Sequence, residues 1–347
     1  MNESGPDIDR AEILPVKSDT VGRAPGIRHR FADLWIVLVF IGMAVIFAVT
    51  APGFLSLENW VSTAQYTTEY LLLALGETFV ILTAGIDLSV GATLGLSGIL
   101  GGLAISALTN GGASTHGLAM SLVAGAVVCL AAGALVGVVN GLLITFLNIT
   151  PFIVTLGMLG MVSGITFVIT NGNDVSNLPF VMGNIGNQPF LGFVPLPVFL
   201  TLIATVICSL VLTHTRFGLR TYAIGSNAEA ARRTGIGVRR HLVAVYGLAG
   251  LLAGLAGYVV MLRFSAASPL SGQNDELNAI AAVVIGGASL FGGRGTILGS
   301  AIGALIIGTL VSGLILLNVP AYWQTVLTGA IIILAVFIDQ RRRAKST

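Results

Sequence analysis

Gly225-Ser-Asn-Ala-Glu-Ala-Ala-Arg-Arg-Thr-Gly235-Ile-Gly-Val238 lies inside the only long, strongly charged segment between Leu34 and Ile338. That segment, Arg216 to His241, carries Arg216, Arg220, Arg232, Arg233, Arg239 and Arg240 against a single acid, Glu229. Ser226 followed three residues later by Glu229 has the spacing of a capping box, in which hydroxyl and carboxylate each take an orphan backbone N–H. Ala230, Ala231, Arg232 and Arg233 are good helix formers, and Gly235 can end the turn in a left-handed conformation. The expectation is a short, sharply bounded helix on a basic loop, with apolar runs of membrane length on both sides. Such a helix is shaped to be gripped by a soluble partner.

Composition sets the class. Hydrophobic residues are 55% of the 347 and charged residues 9%, and mean hydropathy is +0.93. A soluble domain is about a quarter charged, so this is a polytopic membrane protein, and the long apolar runs make its expected class all-α. The net charge of +2 makes no case for a nucleic-acid partner. The 45 glycines, with no collagen period, point to close helix packing in lipid. Those at 91, 95, 98, 101 and 102, and at 295, 299, 303 and 308, suit helix seams, either within the chain or across a dimer. Cys129 and Cys208 stand in neither a metal-ligand nor a redox spacing and read as packing residues.

A span needs about 20 apolar residues. That ruler places spans near residues 33–51, 62–83, 88–108, 117–139, 151–170, 196–213, 242–262, 296–317 and 321–338, preceded by a polar tail at 1–32 and followed by a basic tail at 339–347. Val49-Thr50-Ala51 resembles a cleavage site, but the polar leader is too long for a signal peptide and favours an uncleaved first span. Leu277–Leu290 is apolar but short, with Gly286-Gly287 near its end, and suits a broken or re-entrant helix. Counting it gives about ten crossings, with both termini on one side. The basic residues test that count. Arg10, Lys17, Arg23, Arg28, Arg30, the six loop arginines, Arg294, Arg341, Arg342, Arg343 and Lys345 then share the cytoplasmic side, and only Arg263 lies opposite. Outside lie Pro52–Val61, Thr109–His116, the long Asn171–Pro195 loop and Phe264–Glu276.

Nothing in the chain reads as an enzyme. Gly-Lys never occurs and the lysines are Lys17 and Lys345, one in each tail, which excludes a phosphate-cradling Walker loop. No metal-ligand cluster, His-Glu-x-x-His run or Gly-x-Ser-x-Gly elbow is present. His29, His116, His214 and His241 stand at span ends, where interfacial anchoring accounts for them.

Glu229-Ala230-Ala231 followed by Gly235 resembles the EAA loop by which permease subunits of ABC importers engage their ATPase. Thr83-Ala-Gly-Ile-Asp-Leu-Ser-Val-Gly91, Asn148-Ile-Thr-Pro-Phe-Ile-Val-Thr-Leu-Gly157, Ala223-Ile-Gly-Ser-Asn227 and Ala279-Ile-Ala-Ala-Val-Val-Ile-Gly-Gly-Ala-Ser289, then Gly292-Gly-Arg-Gly295, are similar to the ribose/xylose/arabinose-type permeases of bacteria. The resemblance runs from about Leu34 to Ile338, and branched-chain amino-acid permeases are more distant cousins. It implies a type II importer in the inner (cytoplasmic) membrane. Two permease subunits, identical or different, would form the pathway within the lipid bilayer. A cytosolic ATPase holding ATP and Mg would drive it, and a periplasmic or extracellular binding protein would deliver the sugar. Gly225, Ser226, Asn227, Glu229, Ala230, Ala231, Arg232, Arg233 and Gly235 would form the ATPase-coupling segment, and this chain itself would bind no cofactor.

Polar residues inside or at the ends of spans are the pathway candidates. A charge at mid-bilayer costs about 2.5–3.5 kcal/mol on insertion scales, so such residues face a cavity or a partner. Glu77 is the deeper acid and the better gate candidate; Asp87 is expected at a cytoplasmic mouth, capping the helix that starts at Ser89. Gln65, Asn140, Asn148, Thr150, Pro151, Thr155 and Asn278 complete the set, with Asn148–Pro151 and Glu276–Asn278 leading because broken helices free backbone groups for a solute. For each, helix capping or an interhelical bond is the competing role. Arg263 either meets an acidic patch of the binding protein or snorkels as an interfacial anchor. The functional alternatives are an ion-coupled secondary carrier, a passive channel and an ABC permease for another small polar solute.

Overall fold

The computed structural model describes residues 27–113, 117–190, 192, 194–320, 322–330, 333 and 337. Most of the expected N-terminal tail, the basic C-terminal tail and the end of the last expected span lie outside the described residues, with Arg10, Lys17, Arg23, Arg341, Arg342, Arg343 and Lys345.

Helices dominate, as the apolar runs require. In order they are α1 (Ile27–Thr50), α2 (Leu57–Leu82), α3 (Val90–Leu108), α4 (Leu118–Phe146), α5 (Pro151–Thr170) and α6 (Val181–Asn187). After β1 (Pro189–Phe190) and β2 (Val194–Pro195) come α7 (Leu196–His214), α8 (Arg216–Ser226), α9 (Ala228–Arg233), α10 (Val238–Phe264), α11 (Asp275–Ile285) and α12 (Ile297–Leu316). Residues 322–330 are helical again. Among the described residues, the β1–β2 hairpin, with Phe190 opposite Val194, and a bridge between Val175 and Ala267 are the departures from an all-α chain. Among the described residues, α3, α4, α5, α7, α10 and α12 are the six helices long and apolar enough to cross a membrane. The chain is a multi-pass membrane protein.

Helix starts follow local chemistry. Ser56 Oγ accepts from the Asn59 N–H at 3.2 Å and opens α2. Pro151, which has no N–H to leave unsatisfied, takes the first position of α5.

The middle of the bundle is α2, which packs on α7, α10, α11 and α12 and is buried without interruption from Tyr70 to Leu82. This burial explains how α2 carries Glu77 within that stretch: its neighbours there are protein. Hydroxyls tie it to α12, Thr63 donating to Ser312 at 2.8 Å and Thr78 pairing with Ser300 at 2.7 Å. The most extensive helix pair among the described residues is α4 on α10, where a Cβ at Gly133 would strike the Gly250 carbonyl and one at Gly254 the Cys129 carbonyl. The glycines singled out from sequence pack within the chain too. Gly98 lies on Gly257, Gly101 on the Cys129 sulfur, Gly303 on Ala282 and Gly308 on Thr67. Small residues let these backbones approach, and dispersion does the rest.

The expected outer loop Phe264–Glu276 is corrected here. After α10 the chain turns at Ser265 (φ 50°) and runs back along α3. Ala267 comes to Gly102, Ser271 to Gly95, and Gly272 with Glu276 to Gly91. The glycines of α3 open the channel into which this segment fits. Then α11 runs antiparallel to α12, Ala282 against Gly303 and Gly286 against Gly299.

Candidate functional site

The charged segment folds as two helices and a turn. Thr215 Oγ1 accepts from the Phe217 N–H at 3.1 Å and starts α8. That helix runs through Ser226, so Ser226 does not cap the next one. The capping-box expectation is corrected: Asn227, extended at φ −161°, is the cap, and its Oδ1 accepts from the Ala230 N–H at 2.9 Å. An amide oxygen serves an orphan donor as well as a hydroxyl. Glu229 turns outward instead of back, 3.3 Å from Arg233 Nε and 3.9 Å from Arg232. Gly235 is left-handed at φ 87°, as its place after α9 requires.

Ala231 is the anchor of α9. It is buried with Ile224 of α8 and Val238 of α10, while Glu229, Ala230, Arg232, Arg233, Arg239 and Arg240 face outward. Beside the ridge runs a groove of about 400 Å³ lined by Arg232, Ile236, Val238, Arg239 and Arg240. The result is a rigid, basic knuckle with an apolar floor at its foot.

The root of that knuckle is wedged into the bundle. A Cβ on Gly225 would overlap the Leu82 carbonyl at the end of α2. The same carbonyl accepts from the Gly293 N–H at 2.9 Å. Tyr222 donates its hydroxyl to the Gly295 carbonyl at 2.7 Å, and burial pushes this phenol up from its ordinary range. Phe217 packs on Phe79 and on His241, and His241 Nε2 meets Thr221 Oγ1 at 2.9 Å. Side-chain and backbone contacts thus join α8 to α2, α10 and the loop between α11 and α12.

The expected pathway residues do not form one site. Asp87, Ser89 and Asn140 converge in the interior. Asp87 Oδ1 accepts from the Ser89 N–H at 2.9 Å and its hydroxyl at 2.6 Å, while Asn140 Nδ2 bonds Ser89 Oγ at 2.8 Å. Asp87 does serve the start of α3, but the open mouth expected around it is corrected: only 1% of it is exposed. The link from Thr83 to Ser89 folds back into the bundle, and donors replace water. Glu77 is fully buried nearby, its carboxylate facing the Asp87 backbone N–H. Thr155 ties α5 to the same link, donating to the Ile86 carbonyl at 3.1 Å. Asn148 (φ 52°) and Thr150 are exposed ahead of α5, with Pro151 as its first residue. Asn278 donates to Asp275 Oδ1 at 3.3 Å inside α11. Gln65 is elsewhere, 3.2 Å from Asn187 Oδ1. Asn187 in turn donates to the Arg263 carbonyl at 2.8 Å. The Arg263 guanidinium lies 4.2 Å over the Tyr66 ring, an interaction worth about 0.5–1 kcal/mol where exposed.

Glu276, which opens one of the two leading stretches, lines a cavity of about 170 Å³ whose other walls the sequence reading did not mark. Ser163, Thr166 and Phe167 of α5 line it with Gln273, Asn274 and Glu276. The signal was the polar run Ser268-Pro-Leu-Ser-Gly-Gln-Asn274 ahead of α11, which read as a solvated loop.

Residues 59–336 match the family described as the branched-chain amino acid transport system / permease component. The chain is 44% identical over 305 residues to the ribose import permease protein RbsC of Bacillus subtilis (strain 168), covering 87% of this chain and 91% of that one. It is 39% identical over 333 residues to the D-allose transport system permease protein AlsC of Escherichia coli (strain K12), covering 94% and 97%. The xylose transport system permease protein XylH of the same strain is 32% identical over 389 aligned positions, covering 94% and 96%. No solved structure matches the chain.

Proposed function

This chain belongs to the branched-chain amino acid transport system / permease component family, and from that premise we propose that it is the membrane subunit of an ATP-driven importer for a neutral monosaccharide. Relatives named for ribose, allose and xylose, each matched over nearly their whole length, support sugar over amino acid. The observation that carries the ATP-driven reading is the knuckle: α9, capped by Asn227 and closed at Gly235, presents Glu229, Ala230, Arg232 and Arg233 outward while Gly225 is wedged against Leu82. A carrier or channel complete in itself has no use for a protruding element rooted this firmly in the spans.

In this reading the permease pairs with a second copy or a related subunit in the cytoplasmic membrane, both termini facing the cytosol. The segment 265–274 with α11 makes one broken crossing of about ten. An ATPase subunit, which supplies the ATP and Mg chemistry, clasps α9 against the groove at Ile236. Its movement is handed to α2 and to the Gly292–Gly295 loop. The binding protein releases sugar on the opposite side, where Gln65 and Arg263 cluster. Rigid-body displacement of a packed element, with no chemistry in this chain, is sufficient.

The test is Gly235→Pro. The site needs φ 87°, and proline is locked near −65°, so the end of α9 cannot form. Uptake of D-ribose by cells carrying the whole transporter should be abolished while the variant still inserts, and pull-down of the ATPase should fail. Wild-type uptake by the variant, or uptake by vesicles holding this chain alone, would remove the proposal.

A further inference from the structure

We infer that the cavity between α5 and the broken segment ahead of α11 is a transient sugar site, where a single neutral monosaccharide ring is held midway through the protein. The inference rests on the importer reading above and places its solute.

Depth comes first. The 11 residues of α11 rise about 16 Å at 1.5 Å each, roughly half of the ~30 Å hydrocarbon. It runs antiparallel to α12, its Ala282 and Gly286 facing Gly303 and Gly299, so its first turn lies further along α12, short of that helix's end. Its first turn therefore starts near mid-membrane, not at a surface. Gly272 and Glu276 lie against Gly91, the second residue of α3, so the segment reaches the start of that helix inside the bundle. Irregular backbone at such depth occurs where it is shielded by protein or lines a wet cavity. In carriers, solutes bind at such breaks, where unwound backbone and a half-helix N-terminus offer polar groups.

The lining fits a sugar. Glu276 is 8% exposed, and among the described residues its carboxylate meets only its own backbone N–H. It is thus a buried acceptor with capacity to spare, on the wall of a cavity. Gln273 and Asn274 offer amides that both donate and accept; Ser163 and Thr166 offer hydroxyls. Thr166 spends its proton on the Val162 carbonyl at 2.8 Å, so it remains an acceptor. Phe167 adds an apolar face for the C–H side of a ring. A volume of about 170 Å³ is below the roughly 300 Å³ at which drug-sized pockets begin, and so suits one small ring rather than a disaccharide. No cationic side chain lines it, so neither a phosphorylated sugar nor a free carboxylate is matched there.

The experiment uses the whole transporter, with its ATPase and binding protein, in proteoliposomes. Radiolabelled D-ribose, D-xylose, D-allose and L-arabinose are the probes. Gln273→Ala and Phe167→Ala should each lower sugar imported per ATP hydrolysed by about fivefold or more, as expected for losing one good polar or ring contact, and should shift the preference among the four sugars. Ser163→Cys gives a second measurement that tolerates poor assembly, because it is read only on assembled complex. Native Cys129 and Cys208 are buried, so a water-soluble maleimide reports on the new thiol. Modification there should block uptake about tenfold, and saturating sugar during turnover should slow the modification. Unchanged coupling ratios and preferences in Gln273→Ala and Phe167→Ala, or full uptake after Ser163→Cys is modified, would overturn the assignment while leaving the importer standing. If the wild-type transporter imports none of the four sugars, the importer reading falls and this site with it.

Discussion

Replacing Gly225 by alanine should uncouple the protein without unfolding it. The added Cβ would overlap the Leu82 carbonyl oxygen and stand 2.7 Å from the Gly293 nitrogen. Overpacking a close contact costs about 1–3 kcal/mol. The methyl also lies across the 2.9 Å bond from the Gly293 N–H to Leu82, worth about 1 kcal/mol more. The sum, about 2–4 kcal/mol, falls on the seating of α8 against α2 and the Gly292–Gly295 loop. Even if relaxation absorbs half, the seating equilibrium shifts by roughly fivefold to thirtyfold. The assay is sugar uptake divided by ATP hydrolysis in the reconstituted transporter. Gly42→Ala, where a Cβ meets nothing within 4 Å, serves as control and should match wild type. Gly225→Ala that assembles normally and couples as well as the control would refute the claim that force passes through this contact.

Other positions are open to simpler tests. Asn227→Ala removes the cap of α9 and should weaken purified ATPase binding by about fivefold, the equivalent of about 1 kcal/mol; Asn227→Asp should restore it, and Ser226→Ala should stay within about 0.5 kcal/mol of wild type. Tyr222→Phe deletes the bond to Gly295 and should cost about 1 kcal/mol, visible as a Tm lowered by a few degrees in a thermal-shift series. Gly254→Leu drives a side chain into the Cys129 carbonyl and should cost more than about 3 kcal/mol, read as loss of monodisperse protein in size-exclusion chromatography. If Gly254→Leu purifies like wild type, the α4–α10 seam is not as close as described.

Elements with a one-dimensional signature were legible. Apolar length located the six helices long and apolar enough to cross a membrane among the described residues, and Gly235 announced its own backbone. The Ala-rich stretch after Asn227 announced α9. The cap was misassigned because Ser226 and Asn227 are both good capping residues one position apart. What separates them is that α8 extends through Ser226, which depends on Gly225 and Tyr222 docking on Leu82 and Gly295 far away in sequence. Asp87 illustrates the same limit: its spacing to Ser89 was readable, but not that Asn140, 53 residues on, closes over it.

The sequence by itself determined a membrane class, a basic knuckle and a set of small-residue seams, because hydropathy, charge and chain flexibility are properties of neighbouring residues. Only the tertiary structure decided which glycines meet, that the segment before α11 turns inward along α3, and that Ser163 and Gln273 share a cavity. Those outcomes depend on which backbones can approach one another in three dimensions, and nothing local in the chain encodes that distance.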